Sequence, residues 1–497
     1  METKKFKPSH FQQAVYDFIA DVTKRHAVID AVAGSGKSTT IVEGLKLIAK
    51  MFSVLFLAFN KAIVEELKVK IGEQENVTIK TLHSLGASVV MSTFKSVLNT
   101  NKYRTYINDA FKFGAIKPNI KLYEEEILDY KNNIVKLVDL ARNTLATSVS
   151  ELEDIADKYQ LNLQDNECEM ALKVVEWGAN KTDEIDFTDM IYFPNVKSLK
   201  MPQFDYVFID ECQDLNKAQR ELFLKCLKPN GRFIAVGDPR QAIYGFSGAD
   251  VESFNVLKNL PDTTLLPLSV CYRCDANVIN LAKSIVPQIE AKENAPEGIV
   301  NMEAKLAEIK DGDMVLCRVT APLVKLCMQY IADGVKAYVK GKDIGVNLIN
   351  MIKKTNRRNI EDVIERLEAE LEKIASKIMK KQHCNLADAK EDATYTSHLD
   401  KVRAIEVLAG NLKTADAVIH RIETIFKDED RNGICLSTIH KAKGLESDNV
   451  FIICQDKMLL KRAMKVDWMR EQEYNLVYVA YTRAKHYLGF VIDFKCD

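Results

Sequence analysis

The nine residues AVAGSGKST, which begin at Ala31, have the residue types of a loop that binds phosphate. They lie between a short apolar run and a helix-forming segment, so backbone N–H groups could point at phosphate oxygens. Gly34 and Gly36 would allow close approach of the backbone. Lys37 can reach the β- and γ-phosphates, and Ser38 can ligate Mg²⁺. The usual pattern starts with glycine, so Ala31 is a departure, and a structural glycine turn with an incidental lysine is the alternative interpretation.

A carboxylate pair follows another apolar run in YVFIDECQD. Asp210 could hold Mg²⁺ directly or through water, and Glu211 could accept the proton of an attacking water. Acidic residues after a strand also occur simply because they favour a helix N-terminus. Together with the phosphate loop, the pair predicts a nucleoside triphosphatase and leaves open what the energy is used for.

The elements that must position these residues alternate between short apolar runs and helical stretches, which is typical of buried parallel strands. We predict strands in two sets, and therefore two α/β lobes: 27–30, 54–59, 206–209 and 233–236, then 314–317, 434–437, 450–453 and 487–492.

Each set of strands is interrupted by a helical segment, at about 91–190 and about 346–430. The apolar residues in both segments recur at three- and four-residue spacing. In the second segment the stripe consists of Ile360, Val363, Leu367, Leu371, Ile374 and Ile378. We interpret it as a helical hairpin that buries one face, with a partner-binding coiled coil as the alternative.

The bulk composition is that of a globular protein, with 69 basic and 70 acidic residues and a formal charge of −1. Any contact with nucleic acid must therefore come from a local groove. Eleven cysteines include one C-x-x-C pair, Cys271 and Cys274, and we expect reduced thiols and no zinc site. The polar N-terminus and the lack of a long apolar run predict a cytoplasmic protein, in the host cell if viral, without a membrane span.

Four further stretches follow the phosphate loop and the carboxylate pair in a characteristic order. They are VGDPRQAIYGFSGAD (236–250), YRC (272–274), STIHKAKGLESDNVF (437–451) and VYVAYTRAK (477–485). The ordered set resembles superfamily 1 DNA helicases of the UvrD/Rep/PcrA type, over essentially everything except the two helical segments. Many loops in that family begin with alanine, which accounts for Ala31.

The resemblance implies two RecA-like parallel-sheet lobes with ATP in the cleft between them. It implies a first lobe at 1–90 and 191–265 with a helical insert at 91–190, and a second lobe at 266–345 and 431–497 with an insert at 346–430. Phosphate contacts would come from Ala33, Gly34, Ser35, Gly36, Lys37, Ser38 and Thr39.

Other family positions concern the base, the γ-phosphate and the ribose. Gln12 matches the glutamine that reads adenine, and Tyr272 the tyrosine that packs on it. Gln241 matches the γ-phosphate sensor, and Glu446 a residue near the ribose and phosphates. The catalytic set implied by the resemblance is Lys37, Asp210, Glu211, Gln241, Arg273 and Arg483, with Ser38 and Asp210 as Mg²⁺ ligands.

The resemblance also implies a track for single-stranded DNA, which proteins hold by backbone charge and by aromatic faces that stack on bases. The matching positions are Phe59, Asn60, Lys61, His83, Tyr244, Phe246 and His440, although any one aromatic could instead pack in a core. Val32, Phe246, Ser247 and Cys271 depart from the usual family residues.

The predicted activity is ATP- and Mg²⁺-dependent translocation on single-stranded DNA, 3′ to 5′, with unwinding of forked duplexes. The alternatives are a translocase that displaces bound proteins with little unwinding, and a non-motor P-loop enzyme. We expect a monomer that works with replication or repair proteins. The short second insert suggests a compact viral or accessory helicase, with no fused nuclease after Arg483.

Overall fold

The structure is a computed structural model that describes residues 7–72, 74–159, 161, 163, 165–243, 252–427, 433–460 and 463–496. The chain divides into two compact units. The first comprises Met1–Ala31 and Gly36–Ser269, and the second comprises Val32–Ser35 and Val270–Asp497. No helix among the described residues is long and apolar enough to cross a membrane.

The first unit contains eleven helices and eight strands among its described residues. In chain order they are α1 (His10–Ala20), β1 (His26–Ala31), α2 (Lys37–Leu45), β2 (Val54–Ala58), α3 (Lys61–Ile71), β3 (Val77–Thr81), α4 (Leu82–Phe94), β4 (Val97–Leu98), α5 (Lys102–Lys112), α6 (Glu124–Thr144), α7 (Val149–Lys158), α8 (Glu167–Asn180), β5 (Glu184–Ile185), α9 (Asp189–Val196), β6 (Phe204–Ile209), α10 (Lys217–Lys225), β7 (Leu227–Gly237), α11 (Ser253–Lys258) and β8 (Thr263–Leu268).

Six of these strands form one parallel sheet in the order β3-β2-β6-β7-β1-β8. Successive side chains of a strand point to opposite faces. Leu55 and Leu57 of β2 accordingly join the apolar core on one face, and Phe56 joins the core on the other. Because both faces are covered, the central strands read as continuous apolar runs.

The helical segment of the first unit packs around a core of its own. Tyr130, Ile134, Leu137 and Val138 of α6 are fully buried there. The same segment buries a cluster of charges that we did not predict, centred on Asp189.

Asp189 is fully buried and accepts from three groups that lie far away in sequence. Lys102 Nζ lies 2.8 Å from Asp189 Oδ2, and Tyr103 Oη lies 2.6 Å from Oδ1. Arg142 Nη1 lies 2.9 Å from Oδ1 and also reaches Asp186 at 2.8 Å. Since these donors come from α5 and α6, one carboxylate at the start of α9 joins three helices.

The second unit contains eight helices and nine strands among its described residues. They are β9 (Val270–Cys271), α12 (Ala276–Ala282), β10 (Glu290–Ala291), β11 (Ile299–Ala304), β12 (Met314–Cys317), α13 (Ala321–Ala332), β13 (Ala337–Lys340), α14 (Lys342–Lys354), α15 (Ile360–Gln382), α16 (Leu386–Lys390), α17 (Ala393–Ala409), α18 (Ala415–Ile425), β14 (Phe426–Lys427), β15 (Ile434–Thr438), β16 (Ser447–Ile452), α19 (Asp467–Tyr481) and β17 (Ala484–Val491).

Seven of the strands form a second parallel sheet in the order β11-β17-β16-β12-β15-β13-β14. The α14–α18 segment buries its predicted stripe within this unit. Val363, Leu367 and Leu371 of α15 share a core with Val402 and Ile405 of α17. The two predicted α/β lobes with helical inserts are therefore confirmed.

One expectation about the cysteines is wrong. Cys454, just after β16, and Cys496 near the C-terminus form a disulfide, whereas we expected reduced thiols throughout. Neither residue belongs to a C-x-x-C pattern, so the spacing that drew attention to Cys271 and Cys274 could not reveal this pair. The structure brings the two together because the chain after β17 returns beside the end of β16.

Candidate functional site

The phosphate loop lies at the carboxyl end of β1, where Ala31 is fully buried. Gly34 and Gly36 have φ angles of +66° and +76°, in the left-handed region that glycine tolerates best. Gly36 is the N-cap of α2 and provides no side chain to bond the first-turn N–H groups. The helix start therefore offers backbone donors and partial positive charge to an anion.

Lys37 is the first residue of α2, and its Nζ lies 2.9 Å from Glu211 Oε1. Burial lowers the pKa of the ammonium, but Glu211, Asp210 and Asp238 outweigh that effect and raise the pKa above its usual value. Lys37 is therefore charged in neutral solution and is held among carboxylates.

The carboxylate pair follows β6. Burial and the adjacent Glu211 raise the pKa of the Asp210 carboxyl to about 6, although Lys37 opposes this. Glu211 has a φ of +53°, a left-handed conformation that is uncommon for a residue with a Cβ. Such backbone strain is frequent at functional sites, and the strained Glu211 is the residue that pairs with Lys37.

A second polar group lies at the end of β7, beside β1 in the sheet. Asp238 is fully buried and accepts from Gln241 Nε2 at 2.8 Å. Arg240 forms ion pairs with Asp238 at 2.8 Å and with Asp30 of β1 at 2.6 Å. Because β1 and β7 are neighbouring parallel strands, their carboxyl ends bring Gln241 to the same edge as the phosphate loop.

Gln12 is buried on α1, and both ends of its amide are engaged. Its Oε1 accepts from Ser9 N at 3.0 Å in a capping box, and its Nε2 donates to Thr40 Oγ1 at 3.0 Å. Thr40 Oγ1 also donates to Gly36 O at 2.9 Å. Gln12 is thus tied through Thr40 to the phosphate loop.

The loop residues fit a nucleotide phosphate. Ser35 Oγ is buried and has no hydrogen-bond partner in the part of the chain that the structure describes, so a phosphate oxygen could satisfy it. Ala33 is buried and Thr39 is exposed.

The donor set also fits Mg²⁺. Ser38 and Asp210 supply the hard oxygen ligands that this ion prefers. Across the described ranges no group of three or more His, Cys, Asp or Glu side chains could hold a metal ion. Mg²⁺ in phosphate sites takes one or two protein ligands, with phosphate oxygens and waters as the rest, so such a group is not required.

Within the second unit, a series of contacts connects residues from three sequence motifs. Arg273 Nε pairs with Glu446 at 2.6 Å, and Arg273 Nη1 donates to Thr482 O at 3.3 Å. Arg483 is buried, and its Nη2 donates to Thr482 Oγ1 at 3.2 Å. Tyr272, beside Arg273, is 38% exposed.

The predicted DNA-binding residues lie in different environments. Phe59, just after β2, is 51% exposed, and Lys61 beside it is exposed as well. Asn60 caps α3 by accepting from Ile63 N at 2.9 Å, a structural role that we did not predict.

Two histidines from the same predicted set are partly shielded from solvent. Burial lowers the pKa of His83 on α4. Burial, Arg318 and Lys441 lower the pKa of His440 to about 3, so His440 is neutral near pH 7 and could offer hydrogen bonds but no charge. Tyr244 and Phe246 lie outside the described residues.

Four polar residues that we did not predict connect to the Lys37–Glu211 pair, directly or through one another: Asp30, Gln213, Asp238 and Arg240. A signal was available for each, since Asp30 and Asp238 lie at the ends of apolar strands, Gln213 lies inside the IDECQD stretch and Arg240 lies inside the VGDPRQ stretch.

Comparison with known proteins gives two family matches. Residues 13–262 match the UvrD/REP helicase N-terminal domain family, and residues 433–491 match the UvrD-like helicase C-terminal domain family.

Individual relatives are distant. The chain is 23% identical to the F-box DNA helicase 1 of Gallus gallus over 92% of this chain and 46% of that protein. It is 24% identical to the ATP-dependent DNA helicase Rep of Buchnera aphidicola over 52% of this chain and 42% of that protein. It is also 24% identical to a probable DNA helicase II homolog of Mycoplasma pneumoniae over 93% of this chain and 81% of that protein.

The chain spans about half the length of the first two of these relatives. The N-terminal family match alone covers half of the chain and includes the phosphate loop, the carboxylate pair and Gln241. The chain belongs to the UvrD/Rep helicase family.

Proposed function

We propose that the chain is an ATP-dependent DNA helicase that translocates on single-stranded DNA and whose ATP hydrolysis is stimulated by DNA. The observation that carries the proposal is the polar cluster of the first unit, in which Lys37 and Glu211 lie 2.9 Å apart beside Asp210 and Asp238. The proposal that ATP hydrolysis is coupled to DNA rests on membership of the UvrD/Rep helicase family.

In this proposal the first unit performs the chemistry. Lys37 and the backbone of the loop bind the phosphates, while Ser38 and Asp210 hold Mg²⁺, which when bound would neutralise charge on the β- and γ-phosphate oxygens. Glu211 orients the attacking water and accepts its proton. Gln241 senses the γ-phosphate, and Gln12 reads adenine.

Residues of the second unit complete the assignment. We assign Arg273 and Arg483 to the transferring phosphoryl group, where an arginine can contribute about 10³–10⁵ in rate. Tyr272 would pack on adenine, and Glu446 would lie near the ribose. The lobe and insert boundaries predicted from the sequence are part of the same proposal.

For DNA, we propose that Phe59, Asn60, Lys61, His83, Tyr244, Phe246 and His440 line the track. ATP binding and hydrolysis would alternate the grip on the strand and drive 3′-to-5′ steps. The substrates are single-stranded and forked duplex DNA, and the working form is a monomer that acts with replication or repair proteins.

A forked-duplex assay tests the function. We expect ATP hydrolysis that rises when single-stranded DNA is added, and strand separation on a substrate with a 3′ tail but not on one with only a 5′ tail. Stimulated hydrolysis without separation on either tail would favour the protein-displacing translocase, and hydrolysis indifferent to DNA would favour a non-motor P-loop enzyme.

Phe59→Ala is expected to weaken binding of single-stranded DNA, because a stacked base is worth about 1–3 kcal/mol. The dissociation constant should rise by about 5- to 150-fold in a fluorescence-anisotropy titration with an oligonucleotide. Phe187→Ala is the matched control, because Phe187 is exposed to a similar extent, 54% against 51%. Equal affinities for the two variants would remove Phe59 from the proposed track.

A further inference from the structure

The amide of Gln213 lies between the ends of two strands of the first unit. Gln213 is 1% exposed and sits in the short 3₁₀ turn after β6. Its Oε1 accepts from Asp238 N at 3.0 Å. A backbone N–H can only donate, so this contact fixes which end of the amide is oxygen.

The amide nitrogen must then face the carboxylates after β6. Gln213 Nε2 lies 2.5 Å from Glu211 Oε2 and 3.4 Å from Asp214 Oδ2. A hydrogen bond to an ionised acceptor is stronger than one between neutral groups. Gln213 therefore holds the side chain of the proposed general base from one side, while Lys37 holds Glu211 Oε1 from the other.

The space for this amide depends on Gly237 at the end of β7. A Cβ at Gly237 would lie 2.3 Å from Gln213 Oε1 and 2.8 Å from Cys212 Sγ, distances that non-bonded atoms do not adopt. The amide thus packs directly against the backbone of β7, which limits its movement.

The contacts continue beyond Asp238. Its carboxylate accepts from Gln241 Nε2 at 2.8 Å and pairs with Arg240, which also pairs with Asp30 at the end of β1. A continuous set of hydrogen bonds, one of them from the backbone N–H of Asp238, therefore links Glu211 through Gln213 and Asp238 to Gln241.

We propose that Gln213 is a positioning residue that holds the Glu211 carboxylate at a fixed position relative to Asp238 and Gln241. This inference rests on the proposed ATP hydrolysis. When Lys37 turns to bound phosphates, Glu211 loses its ammonium partner, and Gln213 is a partner that stays in place. The role concerns the hydrolysis step and not ATP binding. Gln213 carries no charge, and none of its described hydrogen bonds is to the phosphate loop.

Gln213→Met tests the proposal, because methionine has a similar length but lacks both the donor and the strong acceptor of the amide. We expect kcat for ATP hydrolysis to fall by about 10- to 100-fold, since a displacement of about 1 Å can cost 10²-fold in rate. KM for ATP and the affinity for a fluorescent ATP analogue should stay within threefold. Gln203→Met, at an exposed position, is the control and should leave both constants unchanged.

A double-mutant cycle with Glu211→Gln separates positioning from general damage. If Gln213 acts through Glu211, adding Gln213→Met to Glu211→Gln should cause little further loss. Independent, multiplicative losses would overturn the proposal, as would a kcat for Gln213→Met within twofold of the wild type. If thermal melting shows that Gln213→Met does not fold, Gln213→Asn keeps a polar amide but is too short to span both contacts, and the same criteria apply.

Different results would contradict the proposed function and the positioning role of Gln213. A wild-type chain that does not hydrolyse ATP would overturn both. Hydrolysis in the wild type that is unaffected at Gln213 would overturn the positioning role alone.

Discussion

Glu211→Gln is expected to lower kcat for ATP hydrolysis by about 10²–10⁴-fold, the usual contribution of a positioned general base. Glutamine keeps the length and planarity of the side chain but cannot accept the proton of the attacking water. The substitution also removes the carboxylate that pairs with Lys37 at 2.9 Å. Lys37 would then be freer to bind phosphates, so the affinity for ATP should be unchanged or higher.

Steady-state hydrolysis with and without single-stranded DNA, together with titration of a fluorescent ATP analogue, measures these effects. Binding of single-stranded DNA should remain, because Glu211 makes none of the proposed DNA contacts. Glu66→Gln on α3, whose side chain is exposed in an ion pair with Lys70, is the matched control and should hydrolyse ATP normally. Normal turnover by Glu211→Gln would show that the general base has been wrongly assigned.

Asp189→Ala is expected to destabilise the first unit by about 3–5 kcal/mol, the cost typical of removing one partner from a buried ionic cluster. Lys102 and Tyr103 each lose a hydrogen bond to this carboxylate, and Arg142 loses one of its acceptors. Burial already lowers the pKa of Lys102 despite the adjacent carboxylate. Without Asp189 the Lys102 ammonium would keep the Gly178 carbonyl, at 2.9 Å, as an acceptor that carries no charge.

The effect of Asp189→Ala should extend beyond the helical segment to DNA binding. Asp189 begins α9, and a Cβ at Gly86 of α4 would lie only 2.0 Å from Met190 O, so α9 and α4 are packed backbone to backbone. Because α4 also carries His83, loosening of α9 should weaken DNA binding as well as stability.

Urea unfolding followed by circular dichroism measures the loss. The matched control is Asp183→Asn, which breaks the exposed Lys181–Asp183 pair and should not change the midpoint measurably. Equal midpoints for Asp189→Ala and Asp183→Asn would contradict the interpretation that the buried cluster holds the helices together.

The strands that we predicted correctly are central ones, and the missed strands lie at or next to sheet edges. Met314–Cys317 was predicted to the residue, since it is buried on both faces and reads as a pure apolar run. β3, β8 and β11 were missed. An edge strand is covered on fewer sides, so polar residues interrupt its apolar run, and β8 also contains a proline.

The candidate site could be predicted only where its residues act through local sequence. Glycine, lysine and serine must be neighbours in a phosphate loop, so AVAGSGKST can be recognised as one without any knowledge of the fold. The disulfide between Cys454 and Cys496 could not be recognised in this way, because each cysteine stands alone in its own stretch.

The sequence by itself determined the family and the two α/β lobes, and it predicted the residues that would bind phosphate, because these depend on short runs and on their order. Only the tertiary structure decided how those residues are held. The amide of Gln213 reaches Asp238 because β6 and β7 are adjacent in the sheet, and Asp189 gathers Lys102 and Arg142 from helices far away in sequence. Such contacts arise from strand order and helix packing, which no local pattern of residues encodes.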